Sequence, residues 1–270
     1  MNIAFWSGVR HQSGVTSGVA LISVLWTELF VDEIAITSNH ICNKGLVRRL
    51  YGGCELEDKV PQRVYHYMLG EPEYFRMLYD GKMNKTLWLK ESLRFVPMEG
   101  EKGELFVAEG LYGVNKRVTE QEYLMIDTAC GYTLSSQKVL EEAEIKVILF
   151  PPERDYIDDF FCSKSSTWEN CFFIVGNYRF EGTCRPAYLS RYYNVPRNRI
   201  GVIPYNLGFE QAMWEGNTIS YITQNMHCSR RSKEYRFIYH AKETVENLRK
   251  YAIGRRRILC GECEEVSGRK

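Results

Sequence analysis

The stretch Tyr123-Leu124-Met125-Ile126-Asp127-Thr128-Ala129-Cys130-Gly131 is an apolar run that ends in an aspartate, a threonine and, shortly after, a glycine. Four apolar residues bounded by polar and turn-forming ones read as a strand buried on both faces, as parallel sheets require. In an open α/β sheet, ligands bind beyond the carboxyl ends of the strands, which is where this aspartate would stand. It could hold a Mg²⁺-bound water there, while the glycine lets the chain turn beside a terminal phosphate. A strand-end aspartate also commonly caps a turn and nothing more, so its neighbours decide its meaning.

About 110 residues earlier the chain offers a partner for it. Asn2–Trp6 is a short apolar run entering a Gly/Ser-rich loop, Ser7 to Gly14, and a helix is expected from about Thr16 to Phe30. A loop between a first strand and a first helix presents backbone N–H groups and a helix N-terminus, both of which attract phosphate oxygens. Gly14, Thr16 and Ser17 stand where a phosphate-binding loop keeps its last glycine and paired hydroxyls. Thr16 or Ser17 could instead simply cap the helix. Two positions depart from the phosphate-loop pattern: the lysine expected before the first hydroxyl is Val15, and the earlier glycines are His11 and Gln12.

The rest of the chain alternates in the same manner. Strands are expected at Glu33–Thr37, Leu93–Pro97, Ile145–Phe150, Cys171–Val175 and Arg199–Ile203, and helices at Ser135–Ala143, Asp155–Phe161, Arg185–Asn194 and Tyr235–Tyr251. The segment from about Lys44 to Lys90 reads as mainly helical, an insert over about 44–92. Short apolar strands between helices predict a doubly wound, mostly parallel α/β sheet with helices on both faces. Its carboxyl edge would gather Ser7–Ser17, Ser38–His40, Asp127–Gly131, Asn177 and Pro204–Asn206 into one site. One domain over 1–252 and a basic, polar tail over 253–270 account for the length.

Composition narrows the class. The 270 residues carry a formal net charge of +1, so a generally basic surface for nucleic acid is absent and direct DNA binding is not expected. Nine cysteines form no evenly spaced framework, which points to reduced thiols in a cytoplasmic protein. Val19–Phe30 is too short to span a bilayer, contains Glu28 and reads as a buried first helix rather than an export signal. Cys260-Gly261-Glu262-Cys263 offers two of the four ligands a zinc site needs, with His227 and Cys228 far off in sequence, so no zinc is expected. His11 and His40 would both approach the phosphate edge, as a dyad or as two solvated loop histidines.

These segments, taken in order, resemble the ParA/MinD superfamily of P-loop ATPases from Met1 to about residue 250. Besides the opening loop and the segment Met125–Gly131, the likeness rests on Val139-Leu140-Glu141-Glu142-Ala143, Phe172-Phe173-Ile174-Val175-Gly176-Asn177 and Val202-Ile203-Pro204-Tyr205-Asn206. The helix Phe209–Gly216 follows the family pattern too. The resemblance implies ATP or ADP bound with Mg²⁺, the metal at Thr16 and Asp127, the phosphates at Gly14, Val15, Thr16 and Ser17, and the base at Asn177, Pro204 and Asn206. The family's signature lysine, which reaches across a dimer, would fall at Arg10, making Arg10 and Asp127 the candidate catalytic residues. Arginine keeps the charge but not the geometry.

Val15 removes a cation, and no aspartate stands in Ile36-Thr37-Ser38-Asn39-His40, where the family places one to orient water. Phosphoryl transfer depends on positioned charge, so weak or no ATPase activity is expected. Within the superfamily the chain is similar to TadZ-type proteins of Flp/Tad pilus loci. That implies a homodimer whose protein partners belong to a pilus, secretion or partitioning machine. The basic helix after Tyr235 allows peripheral contact at the inner membrane face. Three readings stay open: a switch with little turnover, a working ATPase, and a scaffold that binds no nucleotide.

Overall fold

The computed structural model describes residues 1–9, 13–39, 46–51, 87–90, 93–95, 122–163, 170–182 and 184–259. Most of the expected insert, Arg10, His11, Gln12, His40 and the Cys260–Cys263 segment lie outside the described residues.

The strands are β1 (Asn2–Trp6), β2 (Ile34–Ser38), β3 (Leu87–Lys90), β4 (Leu93–Phe95), β5 (Tyr123–Asp127), β6 (Ile145–Phe150), β7 (Cys171–Tyr178) and β8 (Ile200–Pro204). They form one sheet in the order β3-β4-β2-β5-β1-β6-β7-β8. Every neighbouring pair from β4 to β8 is parallel, and only β3 runs antiparallel, against β4. The helices are α1 (Val15–Leu29), α2 (Leu46–Tyr51), α3 (Leu134–Glu142), α4 (Arg154–Ser163), α5 (Ala187–Tyr193), α6 (Leu207–Glu215), α7 (Thr218–Asn225) and α8 (Tyr235–Leu259).

Strand periodicity splits the core in two. Ile3, Phe5, Met125, Phe172 and Ile174 point to one face and pack with α1, α6, α7 and α8. Ala4, Trp6, Leu124, Ile126, Phe173 and Val175 point to the other and pack with α3, α4 and α5. Alternate residues therefore serve opposite layers, which is why the strands read as continuous apolar runs.

Three expectations need correction. Leu87–Lys90 is a strand rather than the end of a helical insert, held by antiparallel pairing with Leu93–Phe95 across a register shift. Arg199 belongs to a 3₁₀ turn, Arg197–Arg199, ahead of β8. Arg255, Arg256 and Arg257 are not in a detached tail, because α8 continues without a break to Leu259. Its inward residues Val245, Leu248 and Ala252 keep the helical spacing past the expected stop at Tyr251, and Arg256 donates to the Glu122 carbonyl.

Candidate functional site

The described parts of the loop Ser7–Gly14 are organised by short hydrogen bonds. Val9 N–H donates to Ser7 Oγ (3.2 Å), and Ser13 Oγ donates to the Val9 carbonyl (3.5 Å). Gly14 then starts α1 in the left-handed region (φ 71°), and no side chain caps the helix. The capping roles open to Thr16 and Ser17 are thus not the ones adopted. Thr16 Oγ1 instead donates to Asp127 Oδ1 across the sheet edge, at 3.2 Å. A cap would have turned the hydroxyl back onto its own helix; here it faces the end of β5.

Asp127 is 1% exposed and lies level with Ser38 in the parallel register of β2 and β5. Ser38 ends β2, where the family resemblance would place a water-orienting aspartate. Past Asp127 the chain is pinned to the first strand, with Thr128 N–H donating to the Phe5 carbonyl (3.1 Å) and Gly131 N–H to the Ser7 carbonyl (2.8 Å). Gly131 has φ 87°, and its carbonyl accepts from Trp6 Nε1 at 2.9 Å. Asn39 Oδ1 accepts from Ala129 N–H at 2.6 Å, which ties the end of β2 into the same corner.

Three buried polar atoms in this corner have no hydrogen-bond partner among the described residues: Thr37 Oγ1, Asn39 Nδ2 and Thr128 Oγ1. Leaving such groups unpaired costs about 1–3 kcal/mol each, so the ends of β2 and β5 carry polar atoms that a bound polar group could meet. The donor set also suits a hard cation. A hydroxyl and a carboxylate oxygen already lie together at 3.2 Å, and Mg²⁺ takes a few such oxygens plus phosphate and water.

The far side of the cleft is built by β7. A Cβ on Gly176 would lie 2.5 Å from the Ser13 carbonyl oxygen, so only glycine lets the loop rest on this strand. The next residue, Asn177, takes a left-handed conformation (φ 49°) where the β7–β8 register shifts. That turn brings Asn177 Nδ2 to 3.9 Å from the position a Cβ on Gly14 would occupy. Pro204 pairs with Tyr178 on the adjacent strand. Gly14, Thr16, Asp127, Asn177 and Pro204 therefore share the carboxyl edge of one sheet.

Asn206 does not join them through its side chain. Its Oδ1 caps α6 by accepting from Phe209 N–H (2.7 Å) and also accepts from Tyr221 Oη (2.9 Å). Its Nδ2 donates to Glu234, which accepts from Tyr221 at 2.7 Å as well. Burial and the Glu234 carboxylate both push the Tyr221 hydroxyl far above its ordinary value, so it stays a donor. An asparagine just past a strand is as good a helix cap as it is a base contact, and here the cap wins.

Val15, the first residue of α1, is 3% exposed and belongs to the core. The position of the missing lysine is thus filled by packing. Sequence reading overlooked a cation nearby, Arg49 on α2. Its main chain is fixed by Thr218 Oγ1, which donates to the Arg49 carbonyl at 2.6 Å, and its guanidinium sits 5.5 Å over the Trp214 ring. Burial holds the Arg49 pKa below its ordinary value, and the Asp127 carboxylate offsets only part of that. Nothing in the local string Leu46–Tyr51 announces this. Among the described residues no cluster of metal-binding side chains of the zinc kind occurs.

No protein-family model matches the chain, and no curated relative does either. Solved structures match well. The septum site-determining protein MinD of Pyrococcus horikoshii, solved with Mg-ADP, matches with a TM-score of 0.64 at 15% identity, covering 94% of this chain and 99% of its own. MinD in the Aquifex aeolicus MinC:MinD complex matches with a TM-score of 0.61 at 15% identity, covering 100% and 99%. A ParA family ATPase of Chlorobium tepidum matches with a TM-score of 0.58 at 12% identity, covering 92% and 98%. The chain has the MinD/ParA P-loop fold over nearly its whole length.

Proposed function

We propose that this chain is a nucleotide-switch protein of the division and partition type that holds adenine nucleotide at the carboxyl edge of its sheet and hydrolyses it slowly or not at all. The observation that carries the reading is the Thr16–Asp127 hydrogen bond, which keeps the two expected Mg²⁺ ligands together although the lysine between Gly14 and Thr16 has become a core valine.

In this reading the N–H groups of Gly14–Ser17 receive the phosphates and Thr16 and Asp127 hold Mg²⁺, which neutralises phosphate charge when bound. Asn177 and Pro204 flank the base. Asn206 acts at one remove, by fixing the start of α6. Two contributions to transition-state stabilisation are missing: the loop cation, lost with Val15, and the water-orienting aspartate, where Ser38 stands instead. Arg49 offers a positive charge that Asp127 senses. The output is binding: a homodimer that docks, in the cytoplasm, onto protein partners of a pilus, secretion or partitioning machine, in the manner of TadZ-type proteins.

Calorimetric titration with ATP and with ADP, each with and without Mg²⁺, tests the reading. Weak binding strengthened by Mg²⁺ and diminished in Asp127→Ala is the expected result. Absence of heat at millimolar nucleotide would leave the fold as a scaffold. Steady-state phosphate release that Asp127→Ala abolishes would make it a working ATPase.

A further inference from the structure

Beyond Asn177 and Pro204, arginines and tyrosines from three stretches of chain meet in one exposed patch. Arg179 and Phe180 follow β7, and Tyr205 follows β8 and donates its N–H to the Tyr178 carbonyl at 2.9 Å. The Arg179 guanidinium lies 5.2 Å from the Tyr205 ring centroid. That of Arg236, on the first turn of α8, lies 5.1 Å from the Phe180 ring centroid. Phe180 also meets His240, and His240 meets Tyr239, each pair with ring centroids 5.1 Å apart. The turn before α8 adds Arg230 and Arg231, both exposed. It stands beside the end of β8, since Glu234 at its close accepts from Asn206. Tyr205 and Tyr239 are 42% and 50% exposed, so the patch offers aromatic surface as well as charge.

Arg179, Arg230, Arg231 and Arg236 make no ion pair among the described residues. The stretch 227–240 holds four Lys or Arg residues against one carboxylate, Glu234, which is buried and already engaged by Asn206, Tyr221 and Lys233. A guanidinium laid over a ring is already ordered and keeps its in-plane N–H groups for a carboxylate, which lowers the entropy cost of meeting one. Arginine and tyrosine are also the residues over-represented where binding energy concentrates between proteins. Three exposed carboxylates border the patch, Glu181, Glu210 and Glu243. Glu210 accepts from Tyr205 Oη at 2.9 Å, and Glu243 lies 3.3 Å from His240 Nδ1. They would repel the evenly spaced charges of a nucleic-acid strand, whereas a peptide can place its carboxylates between them. The formal net charge of +1 adds no wider attraction for phosphates, so an acidic protein segment is the better fit.

We propose that this patch is the docking surface for a partner protein and that it takes an acidic segment, its carboxylates on the arginines and an apolar or aromatic side chain against Tyr205 and Tyr239. The inference rests on the docking half of the reading above and not on nucleotide in the cleft.

Fluorescence anisotropy of a labelled random copolymer of glutamate and tyrosine, titrated with the full-length protein at about 50 mM salt to limit screening, tests it. The copolymer should bind the parent, and Arg179→Glu with Arg236→Glu should bind it at least about tenfold more weakly. Arg191→Glu with Arg197→Glu makes the same change of charge away from the patch and should stay within about twofold of the parent. Should the first pair melt below the parent, Arg179→Gln with Arg236→Gln carries the same expectation. Equal weakening by both glutamate pairs, no binding by the parent, or a labelled oligothymidine held more tightly than the copolymer through the same arginines overturns the proposal. Calorimetry with ATP on the parent separates the two readings. Heat without copolymer binding sinks the patch alone, and copolymer binding without heat sinks only the nucleotide switch.

Discussion

Val15 and Gly176 are the two residues on which the site's character turns. Val15 fills the core where a phosphate-binding lysine would otherwise reach out. Val15→Lys should cost roughly 1–3 kcal/mol in the free protein, since the ammonium must leave the core or remain unpaired in it. Bound ATP with Mg²⁺ should recover part of that loss, because the new cation then has phosphate to meet. Urea unfolding with and without nucleotide measures both terms; an equal loss in the two conditions would deny any link between position 15 and the phosphates. Gly176 carries the loop, with the Ser13 carbonyl where its Cβ would be. Gly176→Ala should destabilise by about 1–3 kcal/mol and weaken nucleotide binding together, since the loop itself must shift. Binding that stays intact in a destabilised Gly176→Ala would separate the loop from the site.

At the scale of elements, two clamps hold α8 in place. Asp32, just past α1, accepts from Arg249 Nε at 2.6 Å and from Trp26 Nε1 at 2.8 Å. Burial works to raise the Asp32 carboxyl, but the Arg249 and Trp26 hydrogen bonds outweigh it and hold the group below the ordinary carboxylate range. With the folded value depressed, the stability from this clamp is fully present above the unfolded carboxylate pKa of about 4. It fades as pH falls through the lower folded value. The gap in stability between the parent and Asp32→Asn should therefore be wide at neutral pH and close at strongly acidic pH, as unfolding curves across pH will show. A gap that does not change with pH would mean the clamp acts by shape alone. The second clamp is Thr244, whose hydroxyl donates to the Val202 carbonyl and accepts from Val202 N–H, both at 2.8 Å. A Cβ on Gly201 would come within 2.4 Å of the Thr244 methyl, so helix and strand are in direct contact. Thr244→Val keeps the shape and orphans both backbone groups; a loss of about 1–3 kcal/mol is expected in the unfolding midpoint.

Across the whole molecule, what could be read in the sequence was what is local in the chain. Tyr123–Asp127 and Asn2–Trp6 are bounded apolar runs, and Gly14, Thr16 and Asp127 sit at fixed offsets from their ends. Gly176, Arg49 and Thr244 owe their roles to another part of the chain that crosses them, and no periodicity reports such crossings. Leu87–Lys90 was missed for the same reason, since four residues become a strand only through the partner beside them. The global consequence of the weakened loop is measurable as heat resistance. For a dissociation constant near 1 mM, ligand at 1 mM adds about 0.4 kcal/mol, which in a chain of this size raises Tm by roughly 1 °C. A micromolar site would raise it by roughly 7 °C under the same conditions, so a thermal scan separates the two.

The Thr244 contact also bears on how the molecule avoids its own kind. β8 is the last strand of the sheet among the described residues, and its outward Val202 N–H and C=O are met by a side-chain hydroxyl instead of by another strand. The helix thereby closes a template on which a second chain could polymerise. Proteolysis or truncation that strips α8 would bare that template, so the shortened chain should form fibrous aggregates from concentrations at which the intact one remains dispersed.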